Sequence, residues 1–90
     1  MSVKIHLHQS HCQYTNGFGI IEANGSTVGE CLNDLVQHYP LMKKVLFNSE
    51  GELHNQLEVY VNMKSAYPDE LAKAVENGDQ IHLTLMFSGG

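Results

Sequence analysis

Apolar and polar residues alternate strictly in several short segments of this chain. Residues 3–8 and residues 81–87 each carry apolar side chains at every second position, and residues 57–62 do the same. Such alternation is typical of a β-strand with one buried face. Asn16-Gly17 is a hairpin signal, so residues around 18–22 are predicted to return as the second strand.

A helical pattern follows the predicted hairpin. Thr27 and Glu30 have the spacing of a capping box, in which each side chain bonds the other residue's backbone N–H. Apolar residues then recur at helical spacing, and Pro40 predicts that the helix ends near His38 or Tyr39. The members of the apolar stripe are Val28, Leu32, Leu35, Val36 and Tyr39, with Cys31 beside them as a small core residue.

The remaining segments are predicted to be short turns and loops. We expect residues 9–14 to form a polar, exposed loop and residues 41–47 to form a short helical turn. Pro68 is expected at the first position of a short helix, where its missing N–H costs nothing. That helix would carry Leu71, Ala74 and Val75. Residues 77–79, Asn-Gly-Asp, read as the turn into the last strand.

The order of elements predicts an α+β domain. An early hairpin, one main helix and late strands place that helix on one face of a sheet. The first and last strands must both be central if each buries a full face, which is the β-grasp arrangement, with a mixed sheet of four to five strands. At 90 residues the chain forms one modest core. We assign residues 1–87 to this domain and residues 88–90 to a flexible C-terminal tail.

Charge and composition narrow the classes of partner. The formal net charge is −5, which disfavours nucleic acid and anionic membranes and favours a basic docking surface on a protein. No apolar run is long enough to cross a membrane, and residues 1–5 lack a secretory pattern, so a cytoplasmic location is expected. Cys12 and Cys31 are too few for a disulfide framework and are predicted to be reduced thiols.

The last two residues carry the candidate chemistry. Gly89 and Gly90 have no side chains, so they can enter a narrow slot in another protein and present a carboxylate there. Motifs in a recognisable order precede them. They are Thr27-Val28-Gly29-Glu30-Cys31-Leu32, Tyr39-Pro40, Glu50-Gly51-Glu52-Leu53, Val59-Tyr60-Val61-Asn62 and Asn77-Gly78-Asp79-Gln80-Ile81.

These motifs resemble the ubiquitin-like sulfur carriers, a family that includes the small subunit of molybdopterin synthase and the thiamin sulfur carrier. The resemblance spans residues 3–90, and Met63 stands where the family usually has Gly. It implies that an ATP-dependent enzyme adenylates the carboxylate of Gly90 and that a sulfur donor then displaces AMP, leaving a thiocarboxylate. Gly89 would supply reach without width. The chain would be a co-substrate or a non-catalytic small subunit rather than an enzyme, with no tightly bound cofactor.

The resemblance also implies three partners: the adenylating enzyme, which uses the ATP, a sulfur donor protein, and a sulfur-accepting synthase subunit. Length and motif order place molybdenum or tungsten cofactor biosynthesis first. Sulfur transfer to thiamin, to a cysteine-type amino acid or to tRNA stays open. A different class, a ubiquitin-like modifier joined to lysines or a β-grasp interaction module, could share the same fold and tail.

Two other groups of residues invite a functional interpretation. Tyr60, Thr84 and Met86 alternate away from the predicted core, and with Phe87 and Ser88 they would form a docking patch beside the tail. The second group combines histidines and a cysteine, residue types that suit zinc. Its members are His6, His8, His11, Cys12 and His82.

The simpler interpretation of the second group is structural. His6, His8 and His82 alternate with core residues, so they are expected on the exposed sheet face. His11 and Cys12 would lie in the loop, and no base is visible beside Cys12 to make it a nucleophile. We therefore predict no metal site and no catalytic cysteine.

Overall fold

The structure, a computed structural model, describes residues 2–85. This part of the chain contains five strands and two α-helices. The strands are β1 (Val3–His6), β2 (Ile20–Ala23), β3 (Leu57–Val61), β4 (Lys64–Ser65) and β5 (Gln80–Leu85). The helices are α1 (Val28–His38) and α2 (Met42–Leu46), with short 3₁₀ helices at Gln9–Thr15 and Glu70–Ala72. None of the helices in this part combines the length and apolar character needed to span a membrane.

The strands form one mixed sheet in the order β2-β1-β5-β3-β4. β1 and β5 run parallel to each other, and every other neighbouring pair is antiparallel. The first and last strands of the chain are therefore adjacent in the interior of the sheet, as the alternation of both segments predicted. This confirms the α+β, β-grasp architecture.

The core lies between the inner face of the sheet and α1. Its centre is fully closed, because Ile5, Ile81 and Leu83 from the sheet are at most 2% exposed, as are Leu32 and Leu35 from the helix. The predicted core role of Cys31 is confirmed, since Cys31 is also buried there. The alternation indicates eight residues for this face, of which only Leu7 and Leu85 are partly exposed, and both pack against the core; the eight are Val3, Ile5, Leu7, Val59, Val61, Ile81, Leu83 and Leu85. The inner face thus follows the alternating pattern.

The predicted start of α1 is confirmed, with one change of partner. The hydroxyl of Thr27 accepts from the N–H of Glu30 at 3.1 Å. The Glu30 carboxylate accepts from the backbone N–H and the hydroxyl of Ser26, at 2.8 and 2.9 Å, rather than from Thr27. These two hydrogen bonds stabilise the charged carboxylate and lower its pKa. The Glu30 carboxylate therefore bonds Ser26, one residue before the predicted partner Thr27.

The segment between β1 and β2 differs from the predicted exposed loop. It is the 3₁₀ helix Gln9–Thr15, in which His11 and Thr15 are buried. Asn16 ends this helix in the left-handed conformation, with φ 58°, so Asn16-Gly17 terminates a helical turn and does not form a two-residue hairpin. β2 consequently starts at Ile20, two residues later than expected. A 3₁₀ helix is short and lacks the repeated pattern by which longer helices are recognised.

The segment after β3 also differs from the prediction. The short helix spans only Glu70–Ala72, and Pro68 precedes it instead of occupying its first position. Ala74 lies outside it and forms an isolated bridge with Thr27, while Val75 is buried. β4, which pairs with the end of β3, has two residues and was not predicted.

Candidate functional site

The described chain ends within the sheet, at the end of β5. Leu85 pairs with Leu57 of β3, and Thr84 pairs with Glu58. On the other side, the ladder with β1 ends at the His6–His82 pair, so the last residues of β5 pair with β3 alone. The strand that leads toward the two glycines is thus held by its neighbours up to Leu85. The predicted tail and docking residues Met86, Phe87, Ser88, Gly89 and Gly90 lie outside the described residues.

The outer face of the sheet brings together side chains from the three interior strands. His6 of β1 lies opposite His82 of β5, and His82 lies opposite Tyr60 of β3. Thr84 is two residues further along β5 than His82 and shares its face. The structure therefore places Tyr60 and Thr84 on one surface next to the end of β5, as the alternation predicted.

His6 and His82 form a stacked pair on this face. The ring centroids are 4.1 Å apart, the ring planes differ by 7°, and His6 Nε2 donates to Gln80 Oε1 at 2.8 Å. Within the described part of the chain, the buried Nδ1 of His82 has no hydrogen-bond partner. Burial, and secondly the neighbouring His6, lower the pKa of His82. The ring of His82 is therefore held neutral, and the pair adds a flat, weakly polar surface beside Tyr60.

Tyr60 itself is tied to its neighbour on the same strand. Its hydroxyl donates to Glu58 Oε2 at 3.3 Å. The charge of Glu58 is the main reason that the pKa of Tyr60 is raised. The phenol thus stays protonated and, like His82, adds no charge to this face.

The other histidines and the thiols do not assemble a metal or catalytic site. His8 begins the first 3₁₀ helix, and its Nδ1 accepts from the N–H of Ser10 at 3.1 Å. The His8 and His11 rings meet edge to face at 6.0 Å, and burial, followed by His8, lowers the pKa of His11. Across residues 2–85, no group of three or more histidine, cysteine or acidic side chains is arranged to hold a metal ion.

Neither cysteine has the surroundings of an activated thiol. Cys12 is partly buried, and its Sγ donates to the carbonyl of His8 at 3.7 Å. Cys31 is buried, and burial together with the charges of Asp34 and Glu30 raises the pKa of its thiol. Since the thiolate is the reactive form, a raised pKa makes Cys31 inert.

Sequence reasoning missed two features that the structure reveals. His11 is buried against the fold, because its 3₁₀ helix packs on α2. Phe18 and Ile20 expose large apolar side chains beside β2, at 57% and 53% of their surfaces. The sequence does carry a signal for the second feature. Phe18 and Ile20 flank Gly19, and a strand end that faces solvent does not need two large apolar side chains.

Comparison with known proteins gives one sequence relative and several whole-chain structural matches. No protein-family model matches the chain. Small archaeal modifier protein 1 of Haloferax volcanii is 34% identical over 65 residues, which cover 72% of this chain and 71% of that protein.

The structural matches span almost the whole fold. A chain of the BexX/CysO complex of Amycolatopsis orientalis matches with a TM-score of 0.87 and 28% identity, covering 98% of this chain and 99% of its own. SAMP1 from Haloferax volcanii gives 0.86 and 27%, with both chains fully covered. CysO of Mycobacterium tuberculosis gives 0.86 and 26%, covering 94% of this chain and 99% of that one. On its fold and on these similarities, the chain belongs to the family of ubiquitin-like sulfur carriers and small modifier proteins.

Proposed function

We propose that this chain carries sulfur as a thiocarboxylate on Gly90. The observation that carries the proposal is the position of β5, a strand inside the sheet of a sulfur-carrier fold that leads toward Gly89-Gly90. Gly90 stands five residues beyond Leu85, and a fully extended chain of that length spans at most about 18 Å. That reach suits delivery of a carboxylate into a partner's active site while the domain docks outside.

The proposed chemistry proceeds in two steps on the partner enzyme. A carboxylate oxygen of Gly90 attacks the α-phosphorus of ATP and displaces pyrophosphate, which gives an acyl-adenylate. A hydrosulfide equivalent from the sulfur donor then attacks the carbonyl carbon, AMP leaves, and a thiocarboxylate remains. The activating enzyme binds and consumes the ATP, so the carrier needs no tightly bound cofactor. Its own contribution is a narrow reacting end and a docking surface.

The docking surface in this proposal is the outer face beside β5. Tyr60 and Thr84 lie there together, and in the sequence Met86, Phe87 and Ser88 stand between Leu85 and the two glycines. The stacked His6–His82 pair supports this assignment, because the lowered pKa of His82 favours its uncharged form, and an uncharged ring is cheaper to remove from water than a charged one. A methionine at position 86 would suit contact with more than one partner, because its unbranched side chain adapts to different surfaces.

For the sulfur acceptor, we propose the molybdopterin precursor, with this chain acting as the small subunit of its synthase. The chain's length and the order of its motifs support this choice. Thiamin, a cysteine-type amino acid and tRNA are the competing acceptors. Sulfur-loaded carrier should be offered to each purified accepting enzyme with its substrate, and loss of sulfur from Gly90 should occur with the molybdopterin-forming enzyme. Transfer to another acceptor alone would replace the pathway but keep the carrier function.

The carrier function itself is tested by intact mass. The chain is incubated with its cognate activating enzyme, ATP and a sulfur donor, and its mass should rise by the difference between sulfur and oxygen. Fragmentation should locate the change at Gly90, and omission of ATP should prevent it. If the enzyme turns over ATP with another carrier but neither adenylates nor sulfurylates this chain, the proposal is wrong.

A second candidate function is protein modification through an isopeptide bond from Gly90 to a lysine. The observation that favours it is the sequence relative, which is named a small archaeal modifier protein. The activated acyl-adenylate is common to both functions, and the two diverge at the attacking group. If the reaction mixture yields lysine-linked products of Gly90 and no thiocarboxylate, modification replaces sulfur transfer as the function.

A further inference from the structure

β2 forms one edge of the sheet, and part of its backbone faces outward. The N–H of Leu7 donates to the carbonyl of Gly19 at 2.8 Å, so these two residues form a hydrogen-bonded pair. Hydrogen-bonded and non-hydrogen-bonded pairs alternate along an antiparallel ladder. The backbone groups of Ile20 and Glu22 therefore point to the open side. The next residue in this series, Asn24, confirms the direction, because its N–H donates away from the sheet to Asp34 Oδ2 at 3.0 Å.

These outward groups are available for strand pairing. β2 pairs only with β1, and among residues 2–85 no hydrogen bond is made to the open side of Ile20 or Glu22. An edge strand in this state is a template for another extended chain. At Asn24 the outward N–H is already bonded to the Asp34 carboxylate, so the stretch of unpaired backbone is short and ends there.

A groove accompanies the open edge. It has a volume of about 490 Å³ and lies between β2 and the C-terminal part of α1, where His38 and Tyr39 form its far wall. Phe18 and Ile20 stand on its rim and expose more than half of their surfaces. Adjacent exposed apolar side chains beside unpaired backbone are the features of a peptide-binding edge.

We propose that this edge groove, formed by Phe18, Ile20, Glu22, Asp34 and Tyr39, binds an extended segment of a partner protein that adds to the sheet beside β2. The backbone of the segment would exchange hydrogen bonds with Ile20 and Glu22. Every second side chain of the segment would be apolar, because it would contact the apolar rim or the wall of the groove. A basic residue at its end would meet the carboxylates of Glu22 and Asp34.

The charge of the chain favours a basic partner over a second copy of itself. Each copy has a formal charge of −5. Antiparallel pairing of two β2 edges would also bring two copies of Glu22 into one short ladder, and like charges across strands are destabilising. A segment that carries Lys or Arg experiences attraction at the same place.

The edge groove adjoins the proposed sulfur-transfer surface at Ile20, which lies opposite His6, but it lies to one side of the strand that leads to the tail. β1 lies between β2 and β5, so the edge is about 10 Å from the strand that leads to Gly90. A partner in the edge groove can therefore stay bound while the tail is used. This inference does not depend on sulfur chemistry, and failure of one leaves the other intact.

The test uses the full chain labelled for NMR and an acetylated, amidated peptide of sequence Lys-Val-Thr-Val-Ile-Lys. On titration, the amides of Ile20 and Glu22 should shift and exchange more slowly with solvent, with further shifts at Phe18 and His38. The control is the same peptide N-methylated at alternate residues, prepared in both registers. Removing the backbone donors that face β2 should weaken binding about tenfold or more in one register only.

Two substitutions test the edge and the charge separately. Ile20→Pro removes an N–H that faces outward, so the ladder with β1 is kept while strand addition is blocked, and peptide binding should be lost. Glu22→Lys should raise the dissociation constant about two- to fivefold, as expected for one exposed ion pair. Glu52→Lys is the matched control, because it makes the same charge change at an exposed position outside the groove, and it should leave binding unchanged.

Several results would overturn the proposal. One is the absence of shifts at Ile20 and Glu22, and another is equal weakening by Glu22→Lys and Glu52→Lys, which would mean non-specific charge attraction. Slowed exchange of the same amides that depends on protein concentration without peptide would make a second copy the occupant. If Ile20→Pro fails to fold, the N-methylated peptides and Glu22→Lys still decide the question.

Discussion

His6 and His82 stack face to face across the two central strands, with ring centroids 4.1 Å apart. Burial, and then His6, lower the pKa of His82, and burial lowers the pKa of His11 in the same direction. A histidine with a depressed pKa binds its proton more weakly in the folded chain than in the unfolded one. Its contribution to stability is therefore present above the unfolded pKa of about 6.5 and is lost as pH falls through the folded value.

We accordingly expect the free energy of unfolding to fall when the pH drops from about 7.5 to 5.5, past the unfolded-state pKa of about 6.5. Denaturant unfolding at both pH values measures the change. His82→Gln removes one contributor and should reduce the loss, whereas the same substitution at exposed His54 serves as the control for removal of an imidazole. A loss of equal size in wild type and His82→Gln would show that the stacked pair does not drive the acid sensitivity.

The sequence predicts the elements that repeat a pattern of apolar residues. It does not predict the elements whose conformation depends on packing against other parts of the fold. Alternation over residues 81–85 indicates the strand because half of its side chains enter one core. The buried position of His11 depends on how a single 3₁₀ helix rests on α2, which no local pattern encodes. β4 has only two residues, too few for any periodicity. The edge groove could not be predicted, because it depends on the order of the strands. Only that order shows that β2 is an edge strand and that Ile20 lies at an open edge.

Leu83→Ala should strongly destabilise the protein. Leu83 is 2% exposed, faces α1 from an interior strand, and pairs with Val59 of β3. Its truncation removes buried methyl groups and leaves a cavity, so we expect a loss of about 2–5 kcal/mol in the free energy of unfolding. Chemical denaturation measures this loss. Thr84→Ala, one residue further on the opposite face, is the control, and an equally large effect there would contradict the assigned facing of β5.

Met63→Gly should stabilise the protein. Asn62 and Met63 have φ values of 51° and 70°, and the flanking residues Val61 and Lys64 pair directly, so the turn is a two-residue hairpin loop of type I′. Met63 is 74% exposed and gains little from packing. Relief of the left-handed strain exceeds the entropic cost of glycine, for a net gain of about 0.5–1 kcal/mol. A higher denaturation midpoint measures it, Met63→Ala should show no such gain, and a lower midpoint for Met63→Gly contradicts the argument.

Thr84→Lys should weaken binding of the activating enzyme without unfolding the carrier. In the free protein the new ammonium group stays in water and lies opposite Glu58. In the complex the ammonium group must be removed from water, and we expect the dissociation constant to rise about tenfold or more. Calorimetry and thermal unfolding on the same sample separate the two effects. Gln37→Lys on the exposed side of α1 adds the same charge elsewhere, and equal weakening by both would remove the outer face from the docking mechanism.

Gly89→Val should abolish sulfur loading while leaving the fold unchanged. A β-branched side chain restricts the backbone and widens the segment that must enter the partner's slot, and position 89 lies beyond the strands that form the core. Intact mass after incubation with the activating enzyme, ATP and a sulfur donor should show no gain, and thermal unfolding should match wild type. Deletion of Gly90 is the positive control for loss of loading. If Gly89→Val gains sulfur as fast as the wild-type chain, then the slot tolerates a side chain there, and the width of the tail is not what selects this carrier.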